Sequence, residues 1–319
     1  SEPGVTIAAP RAGIMAVLSK HPDDTRVTVL SPHMVGRSRL ADLRITDATV
    51  SGEHAVLRWT GREWELHDLG SRNGTIVGGR KLSPGERVAL FRGVVIAFGQ
   101  PENAWRLVDD GPPTVMAQLA DGGETLSARA DMLALPSDDN PEAAIYRDAH
   151  GDWVIDRAGE TSRLADRTSV RVGGRDYLVR VPDQIAVTLD IHSDAPHLAG
   201  LTFCFRVSRD EEYVALTARG DRHTIDLGAR AHHAVLLALA RSRLEDRAGH
   251  AAESAEGWVY QDDLASKLAM DETHLNVAVF RCRRQLAEAG IVGAAAIVER
   301  RRPTREVRIG VARIEVVTV

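Results

Sequence analysis

Apolar and polar positions divide the chain into three stretches. In the first, apolar residues recur at every second position in short runs: Val27 and Val29, then Trp64 and Leu66, then Val94, Ile96 and Phe98. A period of two predicts half-buried antiparallel strands. Residues 14–19 and 25–30 are expected as the first two strands, with 21–24 as their turn. Residues 87–91 and 94–99 are expected as a late hairpin, and 105–108 as the closing strand. Gly111, Pro112 and Pro113 then signal a linker. The next stretch, 114–195, is again strand-like at 144–146, 153–155, 169–172 and 177–181. From Leu201 the pattern changes. Short strands are expected at 203–207, 214–217 and 224–226, and a helix at 226–243 carrying Ala234, Leu237 and Leu239. A second helix is expected at 259–268, opened by Asp262 and Asp263, which suit the positive end of a helix. A third runs from a cap at Asp271 to a stop at Gly290.

Polar clusters lie between the strands of the first stretch, where loops on a rigid scaffold usually carry binding residues. They read Gly36-Arg37-Ser38, then Ser51-Gly52-Glu53-His54, then Asp68 to Thr75 as DLGSRNGT. In this order, and with His54 three residues after Ser51, the set resembles the forkhead-associated (FHA) domain, a β-sandwich that binds phosphothreonine peptides. The resemblance covers residues 12–110. It implies that Arg37 clamps the phosphate as a bidentate donor and that Ser51 donates its hydroxyl to it. It further implies that His54 is structural and that Asn73 hydrogen-bonds the peptide backbone, with Arg72 as a second cation. Gly74 suits the tight turn that Asn-Gly pairs favour. One position departs from the pattern. The family often places a basic residue after the Ser, and here it is Gly52; Arg72, Arg39 or Arg44 are the candidates to compensate. Without the resemblance, the same residues read as a surface cation and an ordinary hairpin turn.

The third helix carries a second candidate site. Leu275, Val279, Cys282 and Leu286 share one apolar face, while Val277, Arg281 and Arg284 lie on another that would look outward. After it, Ile297 and Val298 lead into a turn near Arg302-Pro303-Thr304, and Val307 and Ile309 lead out. Arg300, Arg301, Arg302, Arg305 and Arg308 cluster at this hairpin. A basic helix beside a basic hairpin is an electrostatic footprint for DNA. Residues 201–319 resemble the winged helix-turn-helix effector domain of OmpR/PhoB-type regulators, with LNVAVFRCRRQL (275–286) in place of the recognition helix. The resemblance implies that Val277, Arg281 and Arg284 face double-stranded DNA and that Arg305 and Arg308 serve the wing; a dimer on DNA is compatible with it. Asn276 and Arg283 either contact phosphates or flank the helix. The competing reading is a solvated basic face on a protein-interaction domain.

The expected architecture is therefore multidomain. It has an all-β sandwich (12–110), a β-rich middle region of unknown role (114–195) and an α/β winged-helix domain (201–319). The middle region faintly echoes the first: GDWVID at 151–156 resembles GREWELHD at 61–68, and a GGR triplet follows each. It is a degenerate second sandwich, an unrelated β-module or a support sheet for the last domain. A structural or connecting role is the expectation.

At 319 residues with a formal net charge of -5, the whole chain is not a basic nucleic-acid coat, so charge is judged by region. Cys204 and Cys282 lack metal-ligand spacing, which with the absence of a visible signal peptide predicts a reduced, cytoplasmic setting. No apolar run is long enough to span a membrane. No Walker loop, HExxH or GxSxG stands anywhere, and His232-His233 on a helix would point apart. The expected function is a bacterial transcription regulator, non-enzymatic and without cofactor or metal. Its partners would be a phosphothreonine protein, either a Ser/Thr kinase or its substrate, and promoter DNA. The alternative is a phospho-dependent scaffold whose C-terminal domain binds another protein.

Overall fold

The computed structural model describes residues 15–20, 23–148, 150–157, 159–182, 195–301 and 304–319. The expected tail at 1–13, residues 21 and 22 of the first turn and the Arg302-Pro303 tip lie outside them. The chain divides into two compact units. One holds the N-terminal residues to Thr114 with a short segment from Arg180; the other holds Val115–Val179 and the C-terminal remainder.

In the first unit, two sheets enclose one core. The six-stranded sheet runs in the order Arg26–Thr28, Val17–Lys20, Ala104–Asp109, Val95–Phe98, Thr75–Val77, Arg80–Lys81. The five-stranded sheet runs Leu43–Arg44, His33–Gly36, Ala55–Trp59, Trp64–Asp68, Arg87–Leu90. Leu18, Ile96, Phe98 and Leu107 from one sheet and Val35, Leu57, Trp64 and Leu66 from the other are essentially fully buried together. The alternation of the sequence is made physical in Trp64–Asp68, where residues 64, 66 and 68 are buried and 65 and 67 are not. The late hairpin is corrected. Arg87–Leu90 pairs with Trp64–Asp68, whereas Val95–Phe98 pairs with Ala104–Asp109 and Thr75–Val77. Residues 91–94 cross from one sheet to the other, because both flanking strands bury apolar residues in the same core from opposite sides.

After Thr114, residues 116–180 form two four-stranded sheets. One orders Thr125–Ser127, Met116–Leu119, Arg175–Arg180, Thr168–Val172; the other orders Leu133–Pro136, Pro141–Arg147, Trp153–Arg157, Glu160–Arg163. Beyond them, Thr224–Ala229, Val214–Arg219 and Thr202–Val207 are antiparallel, and Arg313–Thr318 joins Thr202–Val207 in parallel. Three helices follow the sheet: α1 (His233–Ala248), α2 (Gln261–Lys267) and α3 (Glu272–Glu288). The first starts later than its composition predicts, because residues through Ala229 are held in the strand ladder. The second starts at Gln261 because Val259–Tyr260 pairs with Glu306 and Val307. The Asp271 side chain accepts from the His274 amide at 2.7 Å and caps α3, and Gly290 ends it at φ +78°. Val298–Arg301 and Glu306–Ile309 form the expected hairpin. Leu275, Val279, Cys282 and Leu286 bury their expected face in the core shared with α1.

Candidate functional site

Three loops at one end of the sandwich bring together Arg37, Ser51, Arg72, Asn73 and His54. His54 is the hub. It is fully buried, its Nδ1 accepts from the Ser51 amide at 3.1 Å, and its Nε2 lies 3.2 Å from the Gly74 carbonyl. An accepting Nδ1 leaves the proton on Nε2, which donates to that carbonyl. Burial holds the ring's pKa below the usual histidine range, so the neutral form persists. One imidazole thus fixes the Ser51 loop against the Asn73-Gly74 turn.

The other groups follow from this frame. The Arg37 amide donates to the Ser51 carbonyl at 2.9 Å and its Nε to the Val50 carbonyl at 3.3 Å. Its two terminal nitrogens have no partner among the described residues. The Ser51 Oγ accepts from the Arg72 amide at 3.0 Å, leaving its own hydrogen available. Asn73 Nδ2 donates to the Thr49 carbonyl at 2.7 Å, which orients the side chain and leaves Oδ1 and a second N–H for a ligand. Gly36 is required sterically: a Cβ there would lie 2.1 Å from the Gly52 carbonyl oxygen. Gly74 has φ +83°, the left-handed region that favours glycine. A Cβ on Gly52, by contrast, would meet nothing within 4 Å, so the family's basic residue would have room there.

Asp68, which opens the DLGSRNGT cluster, holds that loop together. Its carboxylate accepts from the Gly70 and Ser71 amides and from the Ser71 and Thr75 hydroxyls, at 2.6–3.0 Å. Burial alone would raise its pKa, but the bonds from Thr75 and Ser71 outweigh that and hold the carboxyl below its ordinary value. The signal was present, since an Asp that starts an Asp-x-Gly-Ser turn caps its own backbone.

The helix residues behave differently. Arg281 is exposed and Val277 half-buried. Arg284, which periodicity puts on the outward face, is covered. Two of its nitrogens each meet an Asp138 oxygen at 2.9 Å, one also donates to the Met132 carbonyl, and the side chain is only 11% exposed. Arg283 is buried on Asp156 at 2.9 Å and on the Val298 carbonyl, with its guanidinium 4.7 Å from the Tyr146 ring centre. Burial alone would raise the pKa of Asp156, but Arg283 and Arg300 hold it down. Phe280 is buried with Met132, Ala134, Ala144, Tyr146 and Val154. The sheet of residues 133–163 therefore covers one flank of α3. This is the support-sheet alternative for the middle region, and it is why Arg284 does not look outward.

The hairpin cations also have partners. Arg305 pairs with Glu272 at 2.7 Å, and Arg308 pairs with Glu299 at 2.6 Å while lying over Trp258. The Asn276 Oδ1 accepts from Arg300. His232 and His233 do not point apart: both Nε2 atoms lie 2.8 Å from Gln285 Oε1. Among the described residues no group of His, Cys, Asp and Glu is arranged to hold a metal. No described helix is long and apolar enough to cross a membrane.

Residues 33–99 match the model of the FHA domain family. FhaB of Mycobacterium tuberculosis, an FHA domain-containing protein, is 39% identical over 59 residues, which are 18% of this chain and 38% of FhaB. Protein phosphatase 2C 70 of Arabidopsis thaliana is 37% identical over 79 residues, 24% of this chain and 13% of the phosphatase. Both similarities are thus confined to a minor part of each relative. Among solved structures, an FHA domain studied for phosphothreonine-dependent interactions is 27% identical, covering 31% of this chain and 99% of its own, at a TM-score of 0.27. Mycobacterium tuberculosis EmbR, solved with a low-affinity phosphopeptide, is 23% identical over 30% of this chain and 25% of its own, at a TM-score of 0.28. Residues 33–99 are thus an FHA domain, joined to a second compact unit.

Proposed function

We propose that the protein is a phosphothreonine-dependent signalling protein that couples its FHA domain to DNA through a winged-helix C-terminal domain. The observation that carries the first half is the convergence of Arg37, the Ser51 hydroxyl, Arg72 and Asn73 on one loop surface, held by buried His54. A phosphate dianion set there would receive the two free Arg37 nitrogens and the Ser51 hydroxyl, while Asn73 holds the peptide backbone. The ligand would be a partner phosphorylated on threonine, a Ser/Thr kinase or a substrate of one. The second half is supported by the order of sheet, three helices and hairpin, and by exposed Arg281 on α3 with Arg305 on the hairpin. In this reading no residue does covalent chemistry and no cofactor is needed.

A second reading, a scaffold that does not bind DNA, is favoured by one specific observation: Phe280, Arg283 and Arg284 of α3 are packed against the 133–163 sheet. Two experiments on the intact chain decide. Peptides matched except for phosphothreonine, phosphoserine or unmodified threonine test the first half; phosphothreonine alone should bind well, and equal binding of all three contradicts it. Mobility shift of host promoter duplexes over a salt series tests the second half. A DNA reader shifts some of them with affinity falling steeply as salt rises, and the scaffold shifts none.

A further inference from the structure

Most arginines of the N-terminal unit that lie away from the phosphate loops are neutralised. Arg26 pairs with Asp24, Arg80 with Glu86, Arg87 with Glu65 and Arg92 with Asp109. The loops themselves differ. Arg37, Arg39, Arg44, Arg72 and Lys81 are all exposed, and none pairs with a carboxylate among the described residues. They are also neighbours. Arg44 lies beside Gly36 in the parallel strand pair, and its Nε is 3.5 Å from the Arg37 carbonyl. The Arg72 amide rests on Ser51, whose carbonyl receives the Arg37 amide. The Lys81 Cε lies 2.5 Å from the place a Cβ on Gly74 would take, next to Asn73. Arg39 follows Arg37 by two residues on the same loop. The acids nearby are engaged or few. Asp47 is bound by Thr49 and Gln100, and Asp42 accepts from the Met34 amide. That leaves Glu53, on the loop of Gly52.

One phosphate needs no more than Arg37 and one further cation of this group. Holding five like charges within a few side-chain lengths is unfavourable in the free protein, since exposed charges interact over about 10 Å at 0.1 M salt. The arrangement becomes favourable when a ligand brings several negative charges. Resting on the proposed phosphothreonine reading, we infer that this site selects a multiply anionic segment: a phosphothreonine flanked within a few residues by further negative groups, either acidic side chains or a second phosphate. The phosphothreonine occupies Arg37 and Ser51. The flanking charges lie along Arg39 and Arg44 on one side and Arg72 and Lys81 on the other. The surplus of cations also answers the absence of a basic residue at Gly52, because the positive charge is distributed around the rim of the site and not placed on that loop.

The test titrates the intact chain with four synthetic peptides of one length. One carries phosphothreonine with neutral flanks, one with aspartate flanks, one with a second phosphothreonine two residues away, and one has aspartate flanks with unmodified threonine. The inference expects the aspartate-flanked phosphopeptide to bind about tenfold tighter than the neutral one at 50 mM salt, and this advantage to shrink severalfold by 500 mM. The comparison with the doubly phosphorylated peptide identifies which anion the rim prefers. Combining Arg39→Ala with Arg44→Ala should remove most of the advantage of the acidic over the neutral phosphopeptide; Arg39→Lys with Arg44→Lys should keep it. Both pairs are exposed, and an unchanged melting temperature confirms the fold. Equal affinity for neutral and acidic flanks, or an advantage that the alanine pair leaves intact, overturns the inference. Failure of the neutral phosphopeptide to bind better than an unmodified one would instead overturn the phosphothreonine reading beneath it.

Discussion

Arginines crowd two places in this chain, the loops of the FHA domain and the α3-hairpin region of the second unit, and the two sets are held differently. Arg37, Arg39, Arg44 and Arg72 stand at the surface without a carboxylate among the described residues. Arg283, Arg284, Arg305 and Arg308 each have one: Asp156, Asp138, Glu272 and Glu299. In sequence both sets look alike, as basic residues near turns and on a helix face. The lesson is that an arginine marks a ligand surface when its charge is left over after folding, and a packing joint when the fold supplies the counter-charge. By that standard the first set is the candidate anion surface. In the second, Arg281 of α3 is exposed and has no carboxylate partner among the described residues.

The largest effect that can break the comparison is at Arg283. Replacing it by Met leaves Asp156 and the Tyr146 hydroxyl buried beside a diminished positive charge. Loss of one partner of a buried pair costs about 3–5 kcal/mol, so denaturant unfolding of the second unit should move to markedly lower midpoint. A change under about 1 kcal/mol would mean that the guanidinium is not the partner of Asp156. Next comes Arg37→Ala. It removes a charge-assisted pair worth about 1.5–3 kcal/mol, so phosphothreonine-peptide affinity should fall about tenfold to a hundredfold with no loss of stability. A comparable loss of melting temperature would place Arg37 with the packing arginines.

Histidines give a pH prediction of similar size. Burial lowers the pKa of His33 to about 4, and lowers that of His54 as well. The unfolded chain titrates near 6.5, so between the two values it binds more protons than the folded one. The stability of the FHA domain is therefore complete above about pH 6.5 and is lost as pH falls towards 4. His33 alone should account for about 2 kcal/mol by pH 5. Thermal melts of the chain between pH 7.5 and 5 check this; a melting temperature that stays level or rises on acidification contradicts it.

Smaller effects sharpen the contrast. Gly52→Arg places a cation where a Cβ meets nothing, and should tighten phosphopeptide binding severalfold, about 0.5–1 kcal/mol, with little effect on the melt. Calorimetric titration that finds weaker binding would show that the Ser51 loop needs glycine for its shape. Smallest is Arg284→Ala, which should cost about 1 kcal/mol of stability or less, because Asp138 is half exposed to water. Arg281→Ala should cost none, and of the two it should be the one that weakens any duplex binding.

Much of the FHA domain was legible. Its strands follow from period-two alternation, and its loop residues from types that share a purpose only when the loops converge. His54 is identifiable because Ser51 stands three residues before it, and Asp68 was legible in principle from the Asp-x-Gly-Ser turn. The crossing at residues 91–94 was not, since two adjacent strands with a short turn read as a hairpin unless their partners are known. On α3 the apolar stripe from Leu275 to Leu286 predicted the core face. It could not reveal a second covered flank, because the sheet that covers it comes from residues 133–163. The pairs Arg283–Asp156 and Arg284–Asp138 join positions more than a hundred residues apart, and no local pattern encodes them.

The measurement that tests the central claim most directly is arginine footprinting of the intact chain with phenylglyoxal, read residue by residue by mass spectrometry, with and without a phosphothreonine peptide. The account predicts rapid modification of Arg37, Arg39, Arg44 and Arg72, protection of Arg37 and its neighbours by the phosphorylated peptide but not by its unmodified counterpart, and slow modification of Arg283 and Arg284 in every case. Modification of Arg283 and Arg284 as fast as that of Arg37, or a phosphopeptide that protects none of the loop arginines, would contradict it.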